Sequence, residues 1–355
     1  MMSIRRILTR LFTACGIGLA VIACPAHADI LVGNTLGNSV SRFDATTGAY
    51  LGAFIAAGSG GLVSPDALTY GPDGNLYVSS GDNTSGQILR YDGQTGAFLG
   101  VFNQGDGLAR PYGSAFGPDG NLYVSSFRSD QIVRYDGSTG AFLDVFASGN
   151  GTAAGLLNGP NNLHFGADGA LYVTTQGSVA DGSGGISYLF DSQVLRYDLG
   201  TGVGTLFAGS LMPTAGGNGY VSLLGVAFGP DGLLYTSDYA GGIRSFAASG
   251  TLVRTIDTGK IFGGTATTIG SFAFGTDGAL YASVFDSGAG GITNNGVARC
   301  VIATGSCSAF ITDNMHLARP IGFAFTPPVP EPQTWALLVA GLLGAAGTAR
   351  RRAAH

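Results

Sequence analysis

The chain has 355 residues, 45% of them apolar and only 11% charged, with 61 glycines. Glu331 is the only Glu, Lys260 the only Lys and Trp335 the only Trp, which excludes amphipathic helices from the bulk of the chain and suits many strands joined by tight turns. Residues 29–330 set eleven cationic side chains against twenty-one aspartates, a net charge of −10, which argues against nucleic acid or anionic lipid as a partner.

Residues 1–28 read as a secretory signal peptide: Arg5, Arg6 and Arg10 make the basic start, Leu11 to Cys24 the apolar stretch, and Ala26-His27-Ala28 the small-x-small cleavage site. Sec machinery and signal peptidase are then the first partners, and the mature chain begins at Asp29. Val21-Ile22-Ala23-Cys24 also resembles a loose lipobox, which would instead make Cys24 a lipidated first residue.

Three strands follow, Ile30–Asn34, Ser39–Asp44 and Ala49–Ile55, and then a repeat takes over. Its clearest copy is Pro111 to Ser126, PYGSAFGPDGNLYVSS, a hairpin turned by Pro118-Asp119-Gly120: Pro pre-sets the first turn position and Gly takes the positive φ. Further copies place the turn aspartate at 73, 168, 231 and 277, with offsets of 46, 49, 63 and 46 along the chain. Each unit continues through a third strand, three of them ending in Arg-Tyr-Asp, to a tight turn and a fourth strand. A strand-rich period in this range means the blades of a propeller. Pro65–Phe102, Pro111–Phe146, Pro160–Ala208, Leu223–Asp257 and Ile269–Thr312 are five complete units; Pro320–Phe325 matches the first strand of a sixth, whose other three strands are those at the N-terminus. The expected fold is therefore all-β, a six-bladed propeller over residues 29–326 closed by both ends of the chain. Cys300 and Cys307 face each other across the last tight turn, where Tyr91 and Phe98 stand in the first complete unit, and are expected to form a structural disulfide.

The Pro-x-Gly-x-Ala, Pro-Asp-Gly-Asn-Leu-Tyr-Val and Arg-x-Asp spacing resembles the NHL repeat over about 300 residues. That resemblance implies a six-bladed propeller, but its members range from protein- and RNA-binding modules to lyases and lactonases, so it implies no single function.

The last segment, 327–355, has three parts: Val329-Pro330-Glu331-Pro332, an uncharged run from Gln333 to Ala349, and Arg350-Arg351-Arg352. At about 1.5 Å per residue the run reaches about 25 Å, the short limit for a transmembrane helix, and the arginines would hold the C-terminus in the cytoplasm. This arrangement resembles the PEP-CTERM sorting signal. The resemblance implies export in a Gram-negative bacterium, recognition by an exosortase-type membrane peptidase, removal of the tail, and association with exopolysaccharide at the cell surface or in the extracellular matrix. A plain tail anchor that stays uncut is the alternative.

In a four-stranded antiparallel blade the short turns lie on one face and the loops between strands 2 and 3, and between blades, on the other. All the long segments belong to that second face, among them 148–159, 176–192, 209–222, 286–296 and 313–319, so ligand binding is expected there. Candidates at the start of the first strands are Asp66, Tyr112, Asn161, Asn162 and His164; Arg110 and Arg128 join them as arginines outside the repeat, as do Arg319, Phe127, Tyr188, Tyr220 and Tyr239. Aromatics with arginine could stack on sugars or grip an acidic polysaccharide. Gluconolactonase-like propellers, a related family by resemblance, hold a channel metal with Glu, Asn and Asp. Pro160-Asn161-Asn162 and Ser64-Pro65-Asp66 resemble two of those motifs, but the Glu is missing, and Leu224, Gly270 and Ile321 fill the other places. No metal, no cofactor and no catalytic residue is therefore assigned; Asp66 and Asn161 are expected to cap strand starts, and His164 to pack as a strand residue. A metal-dependent lactonase or lyase is the enzymatic alternative, and a protein-interaction scaffold the third. Arg90, Arg134 and Arg196 recur at one blade position and are expected to pair with neighbouring blades.

Overall fold

A computed structural model describes residues 28–328 except 83–85, 104–107, 153–155, 181–184, 214–217, 259–260, 263–267 and 287–292. The signal peptide and the sorting segment from Val329 onward lie outside the described residues, among which no helix is long and apolar enough to cross a membrane.

Six four-stranded antiparallel sheets are present. Blade 1 is β4 (Leu68–Tyr70), β5 (Leu76–Gly81), β6 (Gly86–Tyr91) and β7 (Phe98–Val101). Blade 2 is β8 (Pro111–Phe116), β9 (Leu122–Ser126), β10 (Gln131–Tyr135) and β11 (Phe142–Ser148). Blade 3 is β12 (Pro160–Phe165), β13 (Leu171–Thr175), β16 (Val194–Tyr197) and β17 (Gly204–Ala208), with an added hairpin of β14 (Ser178–Ala180) and β15 (Ile186–Tyr188). Blade 4 is β18 (Leu223–Phe228), β19 (Leu234–Asp238), β20 (Ile243–Phe246) and β21 (Leu252–Ile256), and blade 5 is β22 (Thr268–Phe274), β23 (Leu280–Phe285), β24 (Gly296–Val301) and β25 (Ser306–Thr312). The closing blade joins β26 (Pro320–Phe325) to β1 (Asp29–Asn34), β2 (Ser39–Asp44) and β3 (Tyr50–Ile55). Each first strand touches the first strand of the next blade, around to β26 against β4, so the ring is complete. This is the six-bladed propeller implied by the repeat.

The turns explain their own sequence. Gly120 has φ 80°, and Asp119 accepts the Asn121 amide at 3.2 Å and the Tyr123 hydroxyl at 3.0 Å. Arginines of the third strand add to this, but within their own blade rather than across to a neighbour: Arg134 reaches Asp144 at 2.6 Å and Asp119 at 3.6 Å, Arg196 reaches Asp168 at 2.8 Å, and Arg299 reaches Asp277 at 2.6 Å. The reason is register, since Arg134 lies opposite Tyr123 and Arg196 opposite Tyr172, which brings each guanidinium down onto the turn of the same sheet. Cys300 and Cys307 are register partners and are joined in a disulfide.

At five of the six seams, blades are held together by two side chains of the second strand. Tyr77, Tyr123, Tyr172, Tyr235 and Tyr281 set their rings edge-on against Phe116, Phe165, Phe228, Phe274 and Phe325 of the following first strand, at 5.0–5.4 Å between centroids. Two residues later come Ser79, Ser125, Thr174, Ser237 and Ser283. The Ser125 hydroxyl accepts the Gly113 amide of its own first strand at 2.7 Å and donates to Asn161 O of the next blade at 2.5 Å. Ser79, Thr174, Ser237 and Ser283 donate likewise to Tyr112 O, Leu224 O, Gly270 O and Ile321 O.

Candidate functional site

A central channel follows from the ring of first strands, and its walls enclose about 560 Å³. Thr69, Ala115, His164, Ala227 and Ala273 occupy equivalent places around it, with Ser114, Asn162 and Ser271 one layer away. His164 therefore faces the channel instead of packing inside a sheet; burial lowers its pKa, and its ring lies 6.0 Å from that of Phe228. Asn162 fixes its amide group on the Leu163 N–H at 2.7 Å and on Ser271 Oγ at 3.4 Å.

The mouth on the long-loop face is different in chemistry. In blades 1, 2, 3 and the closing blade a proline opens the first strand or the segment leading into it, and the residue before it has positive φ: Ser64 at 45°, Arg110 at 56°, Gly159 at 63° and Arg319 at 50°. Glycine takes that conformation freely. An L-residue with a long side chain pays about 1–2 kcal/mol for it, and proline at the next position restricts it further. Two arginines are nevertheless placed there.

Arg110 stacks on Tyr112, 5.1 Å from the ring centroid, and Tyr112 in turn packs on Phe127 at 4.6 Å. Arg319 lies 6.0 Å from the Phe285 ring centroid and donates to Tyr239 Oη at 3.5 Å; Tyr239 and Phe285 pack edge-on at 5.9 Å. Asp66 sits between these groups in charge terms. Burial pushes its carboxyl up to about 7, against the pull of Arg110 and Arg319. Tyr112 is raised by burial and then by Asp66, and Tyr188 on β15 is raised by burial and then by Tyr239, so one electrostatic neighbourhood includes them all. Every blade contributes: Asp66, Tyr112, Tyr188, Tyr239, Phe285 and Arg319 come from blades 1, 2, 3, 4, 5 and the closing blade.

The candidates thus divide. Asp66, Arg110 and Tyr112 meet at the mouth, Asn162 and His164 line the channel below, and Asn161 takes the Asp66-equivalent place in blade 3. Arg128 stands on the short 3-10 turn Phe127–Ser129, its amide held by Ala109 O at 3.1 Å. The expected capping role for Asp66 and Asn161 is not what is seen: neither side chain hydrogen-bonds a backbone amide among the described residues, because the strand-2 hydroxyls already cap the amides of Ala67 and Asn162. The long loop 176–192 contains the β14–β15 hairpin, which carries Tyr188 into the electrostatic reach of Tyr239, Arg110 and Arg319. Phe285 was not anticipated; it is the last residue of β23, and only the fold brings it to Arg319.

A resident metal does not fit. Among the described residues no three His, Cys, Asp or Glu converge, and the places that would complete a donor set with Asp66 and Asn161 hold Leu224, Gly270 and Ile321.

No protein-family model matches the chain, and neither does any curated protein. Solved structures do. A chain of the nidogen/laminin complex superposes with a TM-score of 0.58 at 14% identity, covering 85% of this chain and 99% of that one. The Pseudomonas aeruginosa periplasmic gluconolactonase gives a TM-score of 0.54 at 17% identity, covering 86% and 100%. Virginiamycin B lyase from Staphylococcus aureus gives 0.52 at 15% identity, covering 83% and 87%. A binding propeller, a lactonase and a lyase share this architecture, so the likeness establishes the fold and leaves the activity to the residues.

Proposed function

We propose that this is an exported cell-envelope protein whose propeller binds a ligand at the long-loop mouth without transforming it. The observation that supports binding most is the pair of arginines held at strained backbone positions beside stacked aromatic rings: the strain is retained where it presents charge to the mouth. For export we rely on the sequence: a signal peptide over 1–28, and Val329–Pro332 with the apolar run and Arg350–Arg352 as a PEP-CTERM signal, read by an exosortase-type peptidase and leaving the propeller at the surface or with exopolysaccharide. Mass spectrometry of both termini in membrane and extracellular fractions tests this. Asp29 as first residue and a cut near Pro330–Pro332 are expected; an intact Arg350–Arg352 tail, or a lipid on Cys24, would end the sorting argument.

One observation favours a second reading, an enzyme of lactonase or lyase type. The Asp66 carboxyl, pushed up to about 7, could exchange a proton near neutral pH. Ring opening of aldonolactones that disappears in Asp66→Asn, with the fold intact, would establish it; no turnover by the parent protein would remove it.

A further inference from the structure

We propose that the channel below the mouth is a second, separate ligand site, open toward the short-turn face, which takes a neutral and mainly hydrocarbon small molecule through a carbonyl oxygen received by Asn162, His164 and Ser271.

Position sets the first constraint. The cavity of about 560 Å³ reaches the last residues of five first strands, Tyr70, Phe116, Phe165, Phe228 and Phe274, which stand directly before the short turns. Neither Asp66, Arg110, Tyr112, Tyr188, Tyr239 nor Arg319 lines it, so these side chains of the mouth take no part in the channel. A cavity of a few hundred Å³ is the ordinary size of a small-molecule site.

Charge sets the second. No Asp, Glu, Lys or Arg lines the cavity, in a chain that carries twenty-one aspartates. Burial lowers the His164 pKa as well, so its ring adds no charge at neutral pH. An ion would shed its water there with no opposite charge to meet it, which selects a neutral occupant.

Hydrogen bonding supplies the third. Asn162 and His164 lie two apart on β12, and the Asn162 Nδ2 donates to Ser271 Oγ on β22 at 3.4 Å, although β18 stands between those strands; the contact is made across the channel. The Asn162 carbonyl already accepts the Leu163 N–H at 2.7 Å, and Thr69 Oγ1 lies 2.9 Å from both Ser114 O and Ser114 Oγ, so that pair satisfies itself. Left without a partner among the described residues are one Asn162 N–H, the Ser271 O–H and both ring nitrogens of His164, whose ring meets only that of Phe228 at 6.0 Å. Donors predominate in this set, which suits a carbonyl oxygen, and the alanines and phenylalanines of the remaining wall suit a hydrocarbon body. His164 stands where every other blade has Thr or Ala, so the fold itself does not call for an imidazole there.

The test is NMR of the full-length chain in detergent, isotopically labelled at histidine, with the His164 ring signals identified by their absence from His164→Gln. Titration with the bicyclic ketone indanone should move those signals saturably and leave His316 unmoved. Indane, its hydrocarbon counterpart, should bind at least about tenfold more weakly, and indane carboxylate not at all. By calorimetry His164→Ala should lose about fivefold in affinity for the ketone, whereas His164→Gln, which keeps a donor and an acceptor, should stay within about twofold of the parent. Ala227→Leu, which fills the channel at the same place in the next blade, should abolish binding. No saturable shift of His164, equal affinity for ketone and hydrocarbon, preference for the carboxylate, or full affinity in either His164→Ala or a folded Ala227→Leu overturns the proposal. The binding function of the mouth stands or falls separately.

Discussion

Five seams between blades are alike and one is not. At each of the five, a tyrosine ring meets the next blade's phenylalanine and a Ser or Thr hydroxyl crosses to the next blade's carbonyl. Where the closing blade meets blade 1, Leu31 stands for the tyrosine and Gly33 for the hydroxyl residue, with Tyr70 opposite instead of a phenylalanine. The backbones close in to compensate: a Cβ on Gly33 would lie 3.2 Å from Pro65 O. Among the described residues Asp66 O receives no hydroxyl, and β4 begins only at Leu68, later than any other first strand relative to the repeat. This irregular seam holds Asp66. The closing blade is secured elsewhere, by pairing of β1 with β26 and by the Asp29 amide on Thr326 Oγ1 at 2.8 Å. The ring is thus regular where it carries structure and relaxed where it borders the mouth.

The sharpest way to break the comparison is to copy the odd seam into a regular one. Tyr123→Leu with Ser125→Gly in blade 2 removes the ring pair with Phe165 and strips two buried backbone groups, Gly113 N–H and Asn161 C=O, of their partner. About 4 kcal/mol should be lost in urea unfolding, from roughly 1–3 kcal/mol for the orphaned groups, about 1 kcal/mol for the ring pair and about 1 kcal/mol for glycine in a strand. A cost under about 1 kcal/mol would mean that the seams are held by backbone approach alone, as the closing one is.

A smaller effect belongs to the outer hairpins. Blade 1 pairs Tyr91 with Phe98 across its last turn at 5.5 Å between ring centroids, whereas blade 5 uses the Cys300–Cys307 bridge. Closing so short a loop is worth about 2 kcal/mol through the unfolded chain. Reduction should lower the urea midpoint accordingly, and Cys300→Tyr with Cys307→Phe should recover part of the loss if ring pair and bridge are equivalent solutions.

Most of the fold was legible in the sequence, because each Asp-Gly turn imposes its own geometry and the period counts the blades. Even the split blade could be assigned, since PIGFAF repeats PYGSAF. The mouth was legible only in part. Arg110 and Arg319 stood out as lying outside the repeat, and their place just before a strand-opening proline was the signal that could have linked them to Ser64 and Gly159. What no pattern could tell is that the position demands positive φ, or that residues 219 positions apart, Asp66 and Phe285, share a neighbourhood. Such proximity comes from ring closure, which is a property of the whole chain.

Asp66 allows the odd seam to be probed on its own. Its raised carboxyl binds its proton more tightly in the folded than in the unfolded chain, so folding loses stability as pH rises from about 4 through about 7. Asp66→Asn should therefore unfold like the parent at pH 4 and gain about 1 kcal/mol at pH 8, a figure kept small because the side chain has some access to water. A destabilised variant at pH 8 would instead make the carboxylate a structural partner of Arg110 and Arg319.

The least effect is expected in the regular blades, at the surface pair of Arg196 with Asp168. Burial draws the Asp168 carboxyl upward, but hydrogen bonds from Arg196, the Ala170 amide and Tyr172 outweigh it and hold the pKa below the usual value. Stability from a lowered carboxylate is present above the unfolded pKa and disappears as pH falls through the folded one. Arg196→Gln should cost about 0.5 kcal/mol at pH 7, since both partners are substantially exposed, and the cost should shrink as pH falls below the usual carboxylate range. In the closing blade Arg42 pairs instead with Asp29, which is more buried, at 12% side-chain exposure, and lies beside the Asp29–Thr326 link. Arg42→Gln should accordingly cost more than Arg196→Gln at pH 7, and equal costs would mean that the seal between the two chain ends draws nothing from its ion pair.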